Sequence, residues 1–512
     1  MDYMSIAEAS KKWNITHRRI QKLCSENRIV GAKKVGVSWN YPTNTDKPTD
    51  GRTIRYKPTE QLPREHFTSI DLFSGPGGLC TGFKWAGVKP LISVEWSYWT
   101  AQTYSASHNA EIFELSKYLN GEMKNSQHFF KPSNRTLLIY GDINLVKGDL
   151  IKKILNERFG VDSVDIVTGG APCESFSMAG DRKQDDERNE LYQNILRIAR
   201  AVNSKMFLFE NVKGLFSKKL NNQSGEMYKA ICEEFQSVID GKPSYKLVST
   251  DKNTVLLRAT DYGVPQARER LFLVGINRDC PKGIFNYPQK THGEGREYRT
   301  VTVSDAIMDL PQIESGNEST YYNFDLSSIE DKTRNLFLRR MRGDLTMVPN
   351  HISFDEHFLL NHKAPGHTKK MMARITSIKQ GENMKTAYER LNAEGKTAFT
   401  KENYPKTIYA SRNRRLQLSE PCFTVTSHCL DEMVHPTLNR GLTPREVARL
   451  QSFPDWYQFQ GPYVKFHSDP EQDQYEQIGD AIPPLLAYAL GIEVAKTLKC
   501  LKNDDNILEK RA

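Results

Sequence analysis

The sequence predicts an α/β protein built on a mostly parallel sheet with helices on both faces. From about Phe67 onward, short apolar runs alternate with amphipathic segments, which is typical of parallel strands joined by crossover helices. The apolar runs, in chain order, are FTSIDLF, PLISVEW, TLLIYGDI, DIVTGG, KMFLFENV and RLFLVGI. The chain has 512 residues, enough for roughly two to four domains. Its net charge of +9 is compatible with a polyanionic partner but does not identify one.

The first 45 residues predict a small unit of their own. Ser5 followed by Glu8 is the signature of a capping box that starts a helix, and a second helix is predicted from His17 after a short turn. A basic hairpin is predicted around Gly36. Two short helices followed by such a wing resemble the winged helix-turn-helix of excisionases and MerR-type regulators, which implies a DNA-binding domain. The alternative is a small helical packing module.

Polar or glycine-rich residues follow five of the predicted strands. In chain order they are Ser74–Gly78, Glu95–Trp96, Gly141–Asp142, Pro172–Cys173 and Glu210–Asn211. Because ligands of such sheets bind beyond the carboxyl ends of the strands, we expect these residues to form one site.

Among the cysteines, Cys173 is the one whose position in the sequence indicates a candidate catalytic role. The eight cysteines are scattered, and they include neither a CxxC pair nor a cluster of zinc-binding spacing, so we expect no metal site and no disulfide framework. Cys173 follows a strand that ends in Gly-Gly-Ala-Pro. A thiol in that position is either packed in the interior or presented as a nucleophile.

In their order along the chain, five motifs resemble those of the DNA (cytosine-5)-methyltransferase family. The motifs are IDLFSGPGG, PCESFS, ENV, QARER and QIGDAIPP, and the resemblance extends roughly from Phe67 to Lys496. It implies a Rossmann-like S-adenosylmethionine-dependent methyltransferase with a smaller target-recognition domain. The implied partner is double-stranded DNA, from which the target cytosine is flipped out. A cognate restriction endonuclease is a further partner of such enzymes.

The expected organisation has five parts. They are a winged helix-turn-helix domain at 1–45, a Pro/Thr/Asp-rich linker at 46–66, a catalytic domain at 67–280, a target-recognition domain at 281–436 and C-terminal motifs at 437–500 that return to the catalytic domain.

The resemblance implies three catalytic roles. Cys173 would add to carbon 6 of the cytosine, because carbon 5 is a poor nucleophile until a thiolate activates the ring. Glu210 would supply a proton or hydrogen bond to ring nitrogen 3. Arg268 would hold the cytosine 2-oxygen, with Arg270 in a structural role; the alternative for either arginine is a surface ion pair.

The resemblance also implies a set of residues that bind S-adenosylmethionine. The set is Phe73, Gly75, Gly77, Gly78, Glu95, Trp96, Asp142, Ile143, Pro172, Leu191, Asp480 and Ala481. Phe73 would lie against the adenosine, and the three glycines would let the backbone approach the methionine part. Glu95 would accept hydrogen bonds from both ribose hydroxyls. Trp96 would stack on the adenine, unless it is a core residue, while Asp142 with the Ile143 backbone would contact the adenine amino group.

The sequence departs from the family pattern in two places. Glu174–Ser175 stands where Gln-Gly or a similar pair is commoner, and Asp480 stands where the family usually has Asn. An extra carboxylate beside the cofactor would weaken binding or pair with a basic group.

The segment expected to recognise the target, 281–436, contains basic and aromatic stretches. Among them are KAPGHTKKMMARI and YASRNRR, which suit phosphate contacts and base-edge contacts in DNA. Part of the segment could equally be a solvated linker face. No general code connects such a sequence to the bases it reads.

Three alternatives were weighed against a DNA cytosine methyltransferase. An adenine methyltransferase would need an Asn/Asp/Ser-Pro-Pro-aromatic motif, which the sequence lacks. A tRNA methyltransferase of the same fold is superficially suggested by Cys422-Phe423-Thr424, although EPCFTVTS matches a Pro-x-x-Thr-x-Thr segment of the DNA enzymes. The third alternative is a transcriptional regulator with a vestigial catalytic part.

The sequence has no apolar run of the ~18 residues that a membrane span needs. The first residues show no charged lead followed by an apolar stretch. We therefore expect a cytoplasmic protein without a membrane partner.

Overall fold

A computed structural model describes residues 3–13, 15–18, 20–21, 29, 32–35, 38–43, 67–171, 191–220, 223–280, 285–343, 348–465 and 471–509.

The N-terminal unit contains a three-stranded antiparallel sheet and a helix. Its elements are β1 (Tyr3–Met4), α1 (Ile6–Trp13), β2 (Lys33–Val35) and β3 (Ser38–Pro42), with sheet order β1-β3-β2. The predicted capping box is confirmed, since the Ser5 amide donates to Glu8 Oε2 at 2.7 Å and the Glu8 amide donates to Ser5 Oγ at 3.4 Å. The hairpin is also confirmed, because β2 pairs antiparallel with β3. Much of the second helix lies outside the described residues, so the helix-turn-helix stays a prediction.

The largest sheet has nine strands. The elements of this region are β4 (Phe67–Leu72), α2 (Gly78–Trp85), β5 (Val88–Glu95), α3 (Tyr98–His108), β6 (Glu111–Glu114), α4 (Leu115–Leu119), β7 (Leu137–Tyr140), α5 (Gly148–Phe159), β8 (Ile166–Gly170), α6 (Gln193–Ala201), β9 (Met206–Val212), β10 (Lys219–Leu220), β11 (Gln223–Ser224), α7 (Glu226–Phe235), β12 (Tyr245–Leu247), α8 (Lys252–Val255), β13 (Leu256–Arg258), β14 (Gln266–Ala267) and β15 (Glu269–Asn277). The strand order is β12-β15-β9-β8-β4-β5-β7-β6, and β13 also pairs with β15.

All six predicted apolar runs form strands of this sheet. Six neighbouring strands of the sheet are parallel to one another, namely β9, β8, β4, β5, β7 and β6. The predicted mostly parallel sheet is therefore confirmed. Four features were not predicted. Strands β12 and β13 also belong to the sheet, where both pair with β15. Strand β6 extends the edge of the sheet, and β15 runs antiparallel to β9.

Apolar side chains cover both faces of the sheet. In β9, Leu208 belongs to one buried cluster while Phe207 and Phe209 belong to the other. Successive side chains of a strand point to opposite faces, so a strand covered on both sides must be almost continuously apolar. This explains why the strands are recognisable as uninterrupted apolar runs.

The region after the sheet consists of short helices and two-residue strands. They are α9 (Val303–Ile307), α10 (Lys332–Met341), α11 (Lys369–Ser377), α12 (Met384–Ala393), α13 (Thr397–Asn403), β16 (Arg414–Arg415), β17 (Cys422–Phe423), α14 (Cys429–Glu432) and β18 (Met433–Val434). Strand β17 pairs in parallel with β14, and β16 pairs in parallel with β18. The β14–β17 pair therefore joins this region to the end of the large sheet.

Three further helices bring the chain back to the sheet: α15 (Pro444–Leu450), α16 (Gln474–Asp480) and α17 (Pro484–Glu509). Helix α17 packs closely on α2, since a Cβ at Gly82 would lie 2.4 Å from the Pro484 carbonyl oxygen. By length and composition the stretch Gln474–Lys502 could span a membrane, but 61% of its apolar window is buried in the protein. That burial is typical of a core helix.

Candidate active site

The carboxyl ends of the parallel strands bring the predicted residues to one edge of the sheet. In the register of the sheet, Glu95 lies opposite Tyr140, and Gly170 lies opposite Glu210. The Glu210 side chain lies close to the Gly170 backbone, because a Cβ at Gly170 would be 2.6 Å from Glu210 Oε2. The strand ends therefore place Glu95 and Glu210 at the same edge.

The glycine loop, residues 74–78, follows β4 at this edge. Phe73, which precedes it, has φ 56°, a left-handed conformation that is uncommon outside glycine. Gly75 has φ 55°, and a Cβ built on it would meet nothing within 4 Å, so open space lies in front of its backbone. Cβ atoms at Gly77 and Gly78 would instead approach His108 Nε2 at 2.3 Å and the Ile482 carbonyl at 2.1 Å. Internal packing therefore explains the absence of side chains at those two positions.

Glu95 holds the glycine loop from the end of β5. Its carboxylate accepts hydrogen bonds from the backbone amides of Gly75 at 2.9 Å, Trp96 at 3.0 Å and Ser97 at 2.9 Å. The carboxyl is buried, which raises its pKa to about 7, and the charge of Asp480 adds to that rise. A carboxylate offers about four acceptor positions, so about one remains for a ligand hydroxyl. Trp96 is 57% exposed and is therefore not a core residue.

Asp142, Ile143 and Leu191 lie close together beside β7. Asp142 is exposed and accepts a hydrogen bond from the Asn144 amide at 2.9 Å, while Ile143 is buried and Leu191 half-buried. Asn194 joins the two segments, because its Nδ2 donates to Asn144 Oδ1 at 2.9 Å and to the Leu191 carbonyl at 3.2 Å. No motif in the sequence points to Asn194.

Glu210 is paired with Arg270, at the end of β9. Arg270 Nε lies 3.0 Å from Glu210 Oε1, and both side chains are largely buried. Burial raises the pKa of Glu210 above its ordinary value, although the charges of Arg270 and Arg268 act in the opposite direction. The result is a carboxyl that takes up a proton more readily than an exposed glutamate does.

Arg268 occupies the interior. Its Nη1 donates to the carbonyls of Val425 at 2.7 Å and Gly479 at 3.0 Å, and the side chain is fully buried. The predicted assignment gave Arg268 the base contact and Arg270 the structural role. The contacts favour the opposite assignment, because Arg270 is the arginine that meets Glu210.

Asp480 lies at the end of α16, and Ala481 follows it as a buried residue. Gln472 Nε2 donates to Asp480 Oδ2 at 2.8 Å. Asp480 is exposed, yet the surrounding protein desolvates it enough to raise its pKa to about 6. Within the described part of the chain, the basic partner considered for Asp480 is not found at ion-pair distance.

Pro172 and Cys173, together with the unusual Glu174–Ser175 pair, lie outside the described residues. The described chain reaches Ala171, whose carbonyl oxygen accepts a hydrogen bond from Asn211 Nδ2 at 3.3 Å. Ala171 is thereby held next to Glu210, one residue before the Pro-Cys pair.

Comparison with known proteins places this geometry in a family. The model of the family described as C-5 cytosine-specific DNA methylase matches residues 67–130 and 123–496. The chain belongs to the C-5 cytosine-specific DNA methylase family. The methylase is therefore a DNA cytosine-5 methyltransferase.

Two curated relatives illustrate how far the similarity extends. The methylase is 32% identical over 446 residues to the type II methyltransferase M.DdeI of Desulfomicrobium norvegicum, covering 86% of this chain and 92% of the relative. It is 30% identical over 440 residues to the type II methyltransferase M.XorII of Xanthomonas oryzae pv. oryzae, covering 84% and 85%. A crystal structure of a prophage-encoded DNA modification methyltransferase of E. coli has the same fold, with a TM-score of 0.56 and 23% identity over 85% of this chain and 99% of that one.

Two residues that sequence reasoning missed hold the site of the methylase together. Tyr457 donates its hydroxyl to the Pro76 carbonyl within the glycine loop and contacts the ring of His108. Gln266, the first residue of QARER, accepts from the Val425 amide at 2.8 Å and donates to the Leu450 carbonyl at 3.2 Å. Membership of a motif could have drawn attention to Gln266, but nothing in the sequence singles out Tyr457.

Cys422, the basis of the tRNA alternative, is buried in β17 of the methylase. It lies in the strand that pairs with β14, and its exposed fraction is 2%. Burial raises the pKa of the thiol well above its ordinary value, which disfavours the thiolate. A cysteine in this environment is a packing residue, so the feature that suggested the tRNA alternative has a structural explanation.

Proposed function

We propose that the methylase transfers the methyl group of S-adenosylmethionine to carbon 5 of a cytosine flipped out of a specific duplex sequence. The observation that carries the proposal is the Glu210–Arg270 pair, at 3.0 Å, beside the Ala171 segment that leads into Cys173. A base bound there would meet a proton donor and a guanidinium, and the chain continues from Ala171 to the proposed nucleophile, the Cys173 thiol. These are the three groups that addition to a cytosine ring requires.

Cys173 would begin the reaction by adding its thiolate to carbon 6 of the cytosine. Negative charge then develops on the ring, and a proton or hydrogen bond from Glu210 to nitrogen 3 offsets it. The raised pKa of Glu210 favours the protonated form that can donate. Once carbon 5 has taken the methyl group, with S-adenosylhomocysteine as the leaving group, the carbon-5 proton passes to a solvent base and the bond between carbon 6 and sulfur breaks to release the thiolate. Nitrogen 3 returns its proton to Glu210, which restores the ring and the enzyme.

Arg270 is proposed to contact the cytosine 2-oxygen, and Arg268 to fix the segments that carry Val425 and Gly479. The support is the difference in their contacts, since Arg270 Nε lies 3.0 Å from Glu210 Oε1, whereas Arg268 Nη1 donates to the Val425 and Gly479 carbonyls. This assignment reverses the one that the motif suggested.

S-adenosylmethionine supplies an electrophilic methyl group when it is bound. The residues present suit its parts: the space before Gly75 can take a chain that approaches the backbone, Glu95 can accept a ribose hydroxyl, and the exposed Trp96 can stack on the adenine. Asp142, Ile143 and Leu191 are grouped where the adenine edge would lie. Phe73, Pro172 and Ala481 complete the proposed set.

The target-recognition domain is proposed at 281–436, between the catalytic domain at 67–280 and the C-terminal motifs at 437–500. Its segment around residues 405–412 is exposed, with Tyr409 52% exposed and Arg412 near its ring at 5.7 Å. An aromatic ring and a guanidinium on an exposed segment suit stacking and phosphate or base contacts in DNA.

Residues 1–45 are proposed as a second DNA-binding unit, connected by the linker at 46–66. The named relatives are type II methyltransferases, and we propose the corresponding role here: modification of host DNA against a cognate restriction endonuclease. The proposed location is the cytoplasm, where such host DNA is found.

A duplex that carries 5-fluorocytosine at the target position tests the proposed chemistry. Fluorine cannot leave carbon 5 as a proton does, so we expect one methyl transfer followed by a stable protein–DNA adduct at Cys173. The adduct should require S-adenosylmethionine and survive denaturation. Cys173→Ala should form no adduct while still binding DNA. An adduct mapped to another cysteine, or full activity of Cys173→Ala, would contradict the proposal.

A further inference from the structure

Asp480 lies on a short segment that connects the two halves of the proposed site. The carbonyl of the preceding residue, Gly479, accepts the hydrogen bond from Arg268 at 3.0 Å. Two residues after Asp480, the Ile482 carbonyl packs against Gly78, where a Cβ would approach it to 2.1 Å. Asp480 is therefore between the arginine motif, which borders the target base, and the glycine loop, which borders the cofactor.

Electrostatic interactions also connect Asp480 to both sides of the proposed site. The charge of Asp480 contributes to the raised pKa of Glu95, which lies on the cofactor side. Conversely, the charges of Arg268 and Arg270, on the base side, act on the carboxyl of Asp480. The methyl group must pass between cofactor and base, and the segment that carries Asp480 borders both sides of the proposed site.

The carboxylate of Asp480 keeps its negative charge in this position. Within the described part of the chain, its hydrogen-bond donor is the neutral amide of Gln472, at 2.8 Å, and Thr100 Oγ1 donates to Gln472 Oε1 at 2.7 Å, which turns the amide nitrogen toward Asp480. Glu476, on the same helix, differs because it is paired with Lys465 Nζ at 2.9 Å. An amide orients a carboxylate without neutralising it.

We propose that Asp480 is a specificity residue that favours S-adenosylmethionine over the product S-adenosylhomocysteine by attracting the sulfonium charge that only the methyl donor carries. The inference rests on the proposed cofactor site. It also gives product release a physical basis, because methyl transfer removes the positive charge and with it the attraction. An exposed carboxylate about 4 Å from a unit charge changes an affinity by about fivefold in water.

The preference should depend on pH. Desolvation by the surrounding protein raises the pKa of Asp480 to about 6, so its charge is present above that pH and is lost as the pH falls through it. Arg268, Arg270 and His428 favour the charged form, while Glu476 opposes it. Near pH 8, Asp480 is ionised, and so is Glu95, whose pKa is about 7.

Calorimetric titration of the full-length protein with each of the two ligands, without DNA, tests the proposal. The quantity compared is the affinity for S-adenosylmethionine divided by the affinity for S-adenosylhomocysteine. At about pH 8, Asp480→Asn should reduce this ratio by about fivefold, mainly by weakening the binding of S-adenosylmethionine. Asp480→Glu should keep the preference, and the control Glu476→Gln, a carboxylate that is already paired, should leave the ratio unchanged. At about pH 5, the wild type and Asp480→Asn should converge.

The outcomes separate this inference from the proposed function. Equal weakening of both ligands by Asp480→Asn, or an unchanged ratio in a variant whose thermal unfolding matches the wild type, would overturn the role of Asp480 alone. A wild type that binds neither ligand would overturn the cofactor site and this inference together. Should Asp480→Asn fail to fold, loss of the preference in wild-type protein between about pH 8 and pH 5 is the expected result, and a constant preference refutes the proposal.

Discussion

Replacing Arg268 and Arg270 by alanine, one at a time, tests the division of roles between the two arginines of QARER. The contacts predict that Arg268→Ala damages the fold and that Arg270→Ala damages the reaction. Arg268 is fully buried and bonded to two carbonyls, whereas Arg270 faces Glu210 at the edge of the sheet.

The magnitudes follow from what each truncation leaves behind. Removing Arg268 leaves the Val425 and Gly479 carbonyls without their charged donor, and a hydrogen bond to a charged group contributes about 1.5–3 kcal/mol. A loss of roughly 3–5 kcal/mol is a large part of the ~5–15 kcal/mol that stabilises a typical protein. Removing Arg270 lets the pKa of Glu210 rise further, so the carboxyl stays neutral and stability changes by about 1 kcal/mol or less. Methyl transfer should nevertheless slow by about 10²–10³, as expected when one electrostatic contact to the reacting group is removed.

Urea unfolding followed by tryptophan fluorescence measures the first effect, and single-turnover methylation of a target duplex measures the second. Arg268→Lys and Arg270→Lys are the matched controls, since each keeps the charge but loses the fork geometry. The reasoning is refuted if Arg268→Ala unfolds at the wild-type urea concentration but is inactive, while Arg270→Ala keeps full activity.

Three further predictions concern other parts of the molecule. The pKa of Glu446 is lowered to about 2 by Arg440, whose guanidinium lies 2.7 Å away, so this pair contributes stability above the ordinary glutamate pKa and loses it as the pH falls toward 2. As the pH is lowered, the free energy of unfolding of Glu446→Gln should therefore fall less steeply than that of the wild type. An unchanged slope contradicts this prediction. Deletion of residues 1–57 should leave target methylation in a restriction-protection assay largely intact, whereas an insoluble or inactive product contradicts an independent N-terminal unit. Exchange of residues 282–435 for those of a relative should move the methylated site, as read by bisulfite sequencing, and an active chimera with an unchanged site places recognition elsewhere.

The strands could be predicted because burial on both faces makes them apolar throughout. Strand β6 was missed for the opposite reason: its sequence EIFE begins and ends with a charged residue at the edge of the sheet, where only Phe113 is fully buried. The antiparallel direction of β15 could not be read from its composition. Direction depends on the connection, and the segment before β15 contains the short α8 and β13 in place of a crossover helix.

The proposed site was partly predictable, because Glu95 and Glu210 end apolar runs and parallel strands end at a common edge. The roles of the two arginines were not. Residues two apart in a continuous strand point to the same face, so the strand pattern alone does not distinguish the surroundings of Arg268 from those of Arg270. The strand is interrupted at Arg268, between β14 and β15, and the interruption lets that side chain enter the interior.

The position of Arg268 makes distant parts of the sequence depend on one side chain. Its guanidinium bonds to residues 157 and 211 positions further along the chain, in the segment that ends the proposed target-recognition domain and in the last motif. Because Gly479 is directly followed by Asp480, the same bond ties the backbone next to Asp480 to the arginine motif. A shift of Arg268 would therefore move the cofactor side and the base side of the site relative to each other. In the proposed mechanism, the arginine motif would therefore hold the two sides of the site together through Arg268 and would contact the base through Arg270.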